Sequence, residues 1–246
     1  MSRKANLESD SKYRAYSAAI DKCLKSFEYS NEWADLISSL VRLMKLIQQY
    51  DRYDVIPKKR LLGKRLAQCL HPALPPGVHC KTLECFELIF PIMGSDNLAA
   101  DIGIFGPCIF GLLGPSAMTV KPLLFNLFET YFLPLGDKLH TSFLGLLQGL
   151  LPGLEEGSEF FDRGNIVIEK FCKVVGPEFF YSSLWQVLIQ APSVRHFGTA
   201  YILNHFNKRR HLSTQAYVFG NSTSILILPH LCYVISSLLC HYLSSA

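Results

Sequence analysis

A chain of 246 residues is long enough to bury one large domain or a stack of repeats. With 49% hydrophobic and 18% charged residues it is not a disordered protein over most of its length, and a net charge of +4 falls short of a nucleic-acid binder's basic surplus. The 24 basic and 20 acidic residues all precede His211, so 211–246 is an uncharged segment of different composition. Met1 to Ser11 is polar, without the apolar run of a secretory signal, and the eight cysteines follow no disulfide spacing. Both features favour a reducing, cytosolic setting with buried thiols, where the sequon Asn221-Ser222-Thr223 stays unmodified.

Residues 1–11 read as a flexible leader. From Lys12 to Phe27, Tyr13, Tyr16, Ile20, Cys23, Leu24 and Phe27 recur at the helical interval of three and four. Asn31 is the N-cap candidate of the next helix, whose broad apolar face carries Trp33, Leu36, Ile37, Leu40, Val41, Met44 and Ile47. A basic helix over 57–70 follows, and Pro72, Pro75, Pro76 and Gly77 then make a stiff connector, because proline disfavours helix in the residue before it. The pattern predicts a helix from Val78 to Ile92, and a broken or kinked one over 98–113, where Gly103, Gly106, Pro107, Gly111 and Gly114 interrupt an apolar run. Lys121-Pro122 opens another helix. Asp137 caps one that carries Leu139, Phe143, Leu146, Leu147 and Leu150 and ends at Pro152-Gly153. Helices over 161–175, from Pro177 onward and over 193–206 complete the reading.

Alternate helices start near residues 14, 57, 97, 137 and 178, the spacing of roughly 40 residues that two-helix repeats need. Each such pair has two apolar faces and buries them only by stacking on its neighbours. No strand-period alternation of useful length precedes residue 212. The expected fold is all-α, a helical-repeat solenoid of the HEAT or armadillo kind with about five antiparallel helix pairs over 12–210.

The densest basic cluster is Lys58, Lys59, Arg60, Lys64 and Arg65. On a helix Arg60 and Lys64 project opposite Leu62 and Leu66, while Lys58, Lys59 and Arg65 flank the apolar face. The cluster reads either as a solvated face with snorkelling stems or as a surface for anionic headgroups or an acidic partner. Glu155, Glu156 and Glu159, with Asp162, sit in a loop before a helix, where acids favour the positive end of the dipole; capping or a partner-facing patch fits better than paired catalytic carboxylates. Cys69, His71, His79, Cys80 and Cys85 lack the tight pairs of a zinc site and read as core thiols and connector histidines. The glycines of 103–114 precede no Gly-Lys-Ser/Thr, and no nucleophile sits in a signature context. No catalytic residue, cofactor or metal is expected. The uncharged segment 225–243 has the length of a membrane span, but Pro229, His230, His241 and its serines favour a further docked helix or a non-native end over a tail anchor.

The residues just read resemble the amino-terminal module of the Dopey family of large membrane-traffic proteins. The resemblance rests on Glu32-Trp33-Ala34-Asp35-Leu36-Ile37-Ser38-Ser39-Leu40, on Lys64 through Val78, on Tyr131-Phe132-Leu133-Pro134-Leu135, and on Gly149-Leu150-Leu151-Pro152-Gly153-Leu154-Glu155-Glu156-Gly157-Ser158-Glu159. It covers about residues 12–220, and from Asn221 the text is expected to depart from the family, as at a truncated or mispredicted end. It implies a non-enzymatic, cytosolic scaffold, peripheral on Golgi, trans-Golgi network and endosome membranes. The implied partners are a large helical-repeat protein related to Arf exchange factors, phosphoinositide membranes and kinesin machinery. A tail-anchored membrane protein and an enzyme of unrecognised class are the rival readings.

Overall fold

The computed structural model describes Leu7, residues 9–30 and residues 32–208. In chain order its helices are α1 (Ser11–Ser26), α2 (Trp33–Gln49), α3 (Lys59–Cys69), α4 (Pro76–Ala100), α5 (Ile102–Phe110), α6 (Lys121–Leu127), α7 (Phe143–Leu150), α8 (Phe161–Val175), α9 (Pro177–Gln190) and α10 (Arg195–Lys208). There is no strand among the described residues. Residues up to Ile202 make one compact unit, and a second begins at Leu203.

The odd-numbered helices pack in sequence, α1 on α3, α3 on α5, α5 on α7 and α7 on α9. A second layer runs alongside: α2 packs on α4, α4 on α6 and its continuation through Ser142, and that continuation on α8. This is the all-α solenoid that the 40-residue spacing predicts. Helices of the odd layer run parallel. Lys59 at the start of α3 pairs with Asp101 at the start of α5, Arg65 near the end of α3 pairs with Glu28 just past α1, and Gly149 near the end of α7 meets Phe110 at the end of α5. All turns from an odd helix to the next even one therefore lie along one edge of the stack. The even-to-odd turns line the other.

Local chemistry explains most boundaries. The Asp10 carboxylate accepts the Lys12 amide at 2.8 Å and caps α1, so the end of the expected leader is part of the fold. Asn31 lies outside the described residues; Glu32 precedes α2 and makes no side-chain cap bond. Pro76 opens α4 in its first turn, where its missing N–H costs nothing. That helix runs past the expected Ile92, breaks at Gly94 (φ 70°, ψ 165°), and turns 104° into α5.

Two expectations are corrected. Asp137 does not cap a helix: its carboxylate makes only a 3.8 Å approach to His140, and Leu133–Ser142 is a 3₁₀ stretch broken at Gly136 (φ 58°), so α7 starts at Phe143. Pro134 and Gly136 deny this segment the regular i to i−4 ladder. On α2 the buried line is Leu36, Ser39, Leu40, Leu43 and Ile47, while Trp33 is 53% exposed. A wide apolar face does not show in sequence which of its members lies at the centre, since α1 and α4 divide it between them.

The core is rich in rings. Tyr16 stacks on Tyr50 and Tyr53 with centroids 4.7 and 5.9 Å apart, and Phe90 contacts Phe105, Tyr131 and Phe132 edge-on. Phe110, Phe128 and Phe132 continue the series, and Phe143 and Phe180 carry it into the last repeats. Each buried ring contributes roughly 2–3 kcal/mol from area alone, and each such pair about 1 kcal/mol more.

Polar bonds repeat with the fold's own period. Tyr53 Oη donates to Asp10, Lys59 pairs with Asp101, Tyr131 Oη donates to the Glu87 carbonyl, Lys138 pairs with Asp96, and Lys170 pairs with Glu129. The separations are 43, 42, 44, 42 and 41 residues, one repeat each. Every one of these clasps joins a repeat to the next.

Candidate functional site

The five cations of the basic cluster divide by burial. Lys58 is the residue before α3 and holds a left-handed backbone (φ 57°, ψ 34°), with its carbonyl accepting the Leu62 amide at 3.0 Å. Lys59 is half-buried in its pair with Asp101. Arg65 is only 6% exposed: it pairs with Glu28, reaches Gln68 Oε1 at 3.4 Å, and its Nε is buried without a partner. Lys59 and Arg65 thus join repeats, and the cations presented to solvent are Lys58, Arg60 and Lys64. Tertiary partners 42 and 37 residues away decide this, and a helical wheel does not contain them.

The acidic loop stands open. Glu155, Glu156 and Glu159 are all exposed, around a turn that needs Gly157 at φ 82°. Ser158 shapes it, its Oγ accepting the Phe160 amide at 3.3 Å and its own amide donating to the Glu155 carbonyl at 3.1 Å. Asp162, one residue into α8, is exposed too. The loop belongs to the odd-to-even edge, on which Tyr29 and Trp33 are exposed at 79% and 53%. Sequence reading missed Tyr29 and placed Trp33 inside. The signal was there in an aromatic on each side of Glu32, at the turn rather than in the helix.

Of the candidate zinc residues, Cys69, Cys85 and His79 lie in the interior, Cys80 is half-buried and His71 is exposed. Burial pushes the Cys69 and Cys108 thiols up to about 12, and Cys85 further still, which keeps them protonated at neutral pH. His79 is no connector residue: it sits in the first turn of α4, 2% exposed, with Nε2 3.0 Å from the His71 carbonyl and Nδ1 without a partner. His71 is exposed in the connector, its Nδ1 accepting the Ala73 amide at 3.3 Å. Among the described residues no three His, Cys, Asp or Glu side chains are grouped to hold a metal ion.

A groove of about 500 Å³ runs between α5 and α7. Gly103, Pro107, Gly111, Gly145 and Pro152 form much of its wall, and Ser142 and Gln148 supply its polar side chains. It holds no titratable group. Among the described residues no single helix is long and apolar enough to cross a membrane; α4 and α5 meet that requirement only together, across their 104° bend. Segment 225–243 lies outside the described residues.

The family model described as "Dopey, N-terminal" matches residues 10–244. The match continues beyond residue 220, where sequence reading expects it to stop, so the uncharged stretch falls within the family's own pattern. The chain is 44% identical over 221 residues to "Protein DOP1 homolog" of Drosophila melanogaster, covering 90% of this chain and 8% of that one. It is 47% identical over 202 residues to "Protein DOP1B" of Mus musculus, covering 82% and 9%. With "Protein DOP1" of Saccharomyces cerevisiae the identity is 31% over 234 residues, covering 92% and 13%. The chain thus spans about a tenth of the length of these curated relatives. No solved structure matches it. The repeating helical fold and the match over nearly all of its length place this chain in the Dopey family, as the family's amino-terminal domain.

Proposed function

We propose that the chain is a non-enzymatic scaffold of membrane traffic between endosomes and the trans-Golgi network. It works on the cytosolic side of those membranes by combining protein docking with weak attraction to acidic lipid. The observation that carries this reading is the division of the basic cluster. Lys58, Arg60 and Lys64 face solvent at the start of α3 and along it, on a helix tied to its neighbours by the ion pairs of Lys59 and Arg65. Each engaged cation adds on the order of 1 kcal/mol at an anionic surface, so three give a reversible contact that needs a second, protein-borne contact to persist. The partners expected by family resemblance are a helical-repeat protein related to Arf exchange factors and the kinesin machinery.

Co-sedimentation of the full chain with vesicles tests the lipid half. The protein should pellet with phosphoinositide-containing vesicles and stay in solution with neutral ones. The triple change K58E/R60E/K64E should abolish pelleting. Equal binding to neutral vesicles would instead favour segment 225–243 as an anchor.

A further inference from the structure

The two edges of the solenoid differ in how their charges are balanced. On the even-to-odd edge Lys59 meets Asp101 and Lys138 meets Asp96. The odd-to-even edge is built from turns 27–32, 70–75, 111–120, 151–160 and 191–194, which contain Glu28, Glu32, Glu155, Glu156 and Glu159 but no lysine or arginine. The cations nearest these turns are all engaged or buried. Lys25 pairs with Asp21 at 2.8 Å and Arg65 with Glu28; Lys121 is 7% exposed; Arg163 pairs with Glu129 at 2.9 Å; Arg195 Nε donates to the Leu188 carbonyl at 2.8 Å. A protein with a net charge of +4 thus has one edge on which Glu32, Glu155, Glu156 and Glu159 have no lysine or arginine in the same turn, and only Glu28 is paired.

The same edge exposes the two largest aromatic surfaces among the described residues, Tyr29 and Trp33. They flank the exposed Glu32 on a turn braced from behind by the buried Arg65. Ser30 and Glu32 have extended backbone, and the Ser30 hydroxyl donates to the Ser26 carbonyl at 3.3 Å, tying Ser30 to the end of α1. Exposed aromatic faces among carboxylates suit a cation on an apolar stem: the guanidinium or ammonium sits over the ring, and the methylenes pack on its edge.

We propose that this edge is a docking track for a lysine- or arginine-rich segment of a partner protein, anchored on Tyr29 and Trp33 and extended to Glu155, Glu156 and Glu159. Turn 27–32 and turn 151–160 are three repeats apart. At about 10 Å per packed helix that is about 30 Å, which an extended chain spans in about nine residues. The proposal gives the docking half of the scaffold reading a site and a partner chemistry.

The test is fluorescence anisotropy with the full chain and two labelled nine-residue peptides, one all arginine and one of glycine and serine. The arginine peptide should bind, more weakly as salt rises, and the neutral one should not. The pair Y29A/W33A and the triple E155Q/E156Q/E159Q should each weaken binding about tenfold. These side chains are exposed, and circular dichroism verifies that the fold is kept. The changes Asp51→Asn and Glu178→Gln, at exposed acids of the opposite edge, should leave the affinity unchanged. No binding of the arginine peptide, full affinity in the edge variants, or equal loss in the Asp51 and Glu178 controls would each overturn the proposal. No membrane is present, so the result is independent of the lipid reading.

Discussion

Lys58 adopts a backbone conformation that a residue with a Cβ disfavours by about 1–2 kcal/mol. Lys58→Gly should therefore raise stability to urea by about 1 kcal/mol, while removing one exposed cation. At Gly149 the constraint is space. A Cβ there would overlap the carbonyl oxygen of Phe110, whereas at Gly145 the nearest atom, Phe110 Cδ2, would be 3.8 Å away. Gly149→Ala should destabilise by roughly 1–3 kcal/mol, and Gly145→Ala should be neutral or stabilise by up to about 1 kcal/mol. Thermal melts of the two variants separate close packing from helix propensity. The thiols give a chemical readout. Burial lifts Cys69 from its ordinary 9.0 to about 12, so the folded state holds a proton that the unfolded state releases. Stability is then fully present below pH 9 and declines as pH rises above it. Iodoacetamide at pH 8 should leave Cys69 and Cys85 unmodified by mass spectrometry until denaturant is added.

Between neighbouring helices, Glu129 links α6's continuation to α8 through Lys170 at 2.6 Å and Arg163 at 2.9 Å, with the Arg163 guanidinium also 5.3 Å from the Phe125 ring centroid. Burial alone would raise the Glu129 carboxyl, but the bonds from Lys170 and Arg163 outweigh it and hold the group below its usual range. A depressed folded value means stability that is present above the unfolded value, about 4.5, and lost as pH falls through the folded one. Glu129→Gln should melt lower than the parent at pH 6, with the gap closing toward pH 3. The helices themselves were largely legible from proline positions and the apolar period: α3, α8 and α9 begin within two residues of the expected places. What joins them was not. Arg65 looks like any surface arginine until Glu28 is folded against it, and Trp33 looks like core until α1 and α4 divide the face of α2. Asp137 carries a cap residue's chemistry but lies in a 3₁₀ stretch set by Pro134 and Gly136. Sequence period reports local structure, and these outcomes depend on residues a repeat away.

Over the whole molecule, charge and packing divide the work. Ring contacts run through the middle of the stack from Tyr16 to Tyr201, and the cross-repeat clasps recur at separations of 41–44 residues. Exposed ion pairs add little each, so removing the Lys138–Asp96 pair by K138M should leave the thermal melt nearly unchanged. Their arrangement has a geometric consequence. Lys59–Asp101 and Lys138–Asp96 fasten one margin, Arg65–Glu28 the other with Arg163–Glu129 close to it, so each repeat takes its place from the one before. A ligand laid across turn 27–32 and turn 151–160 would therefore meet rings and carboxylates at intervals set by the repeat, and its length would decide whether it reaches both.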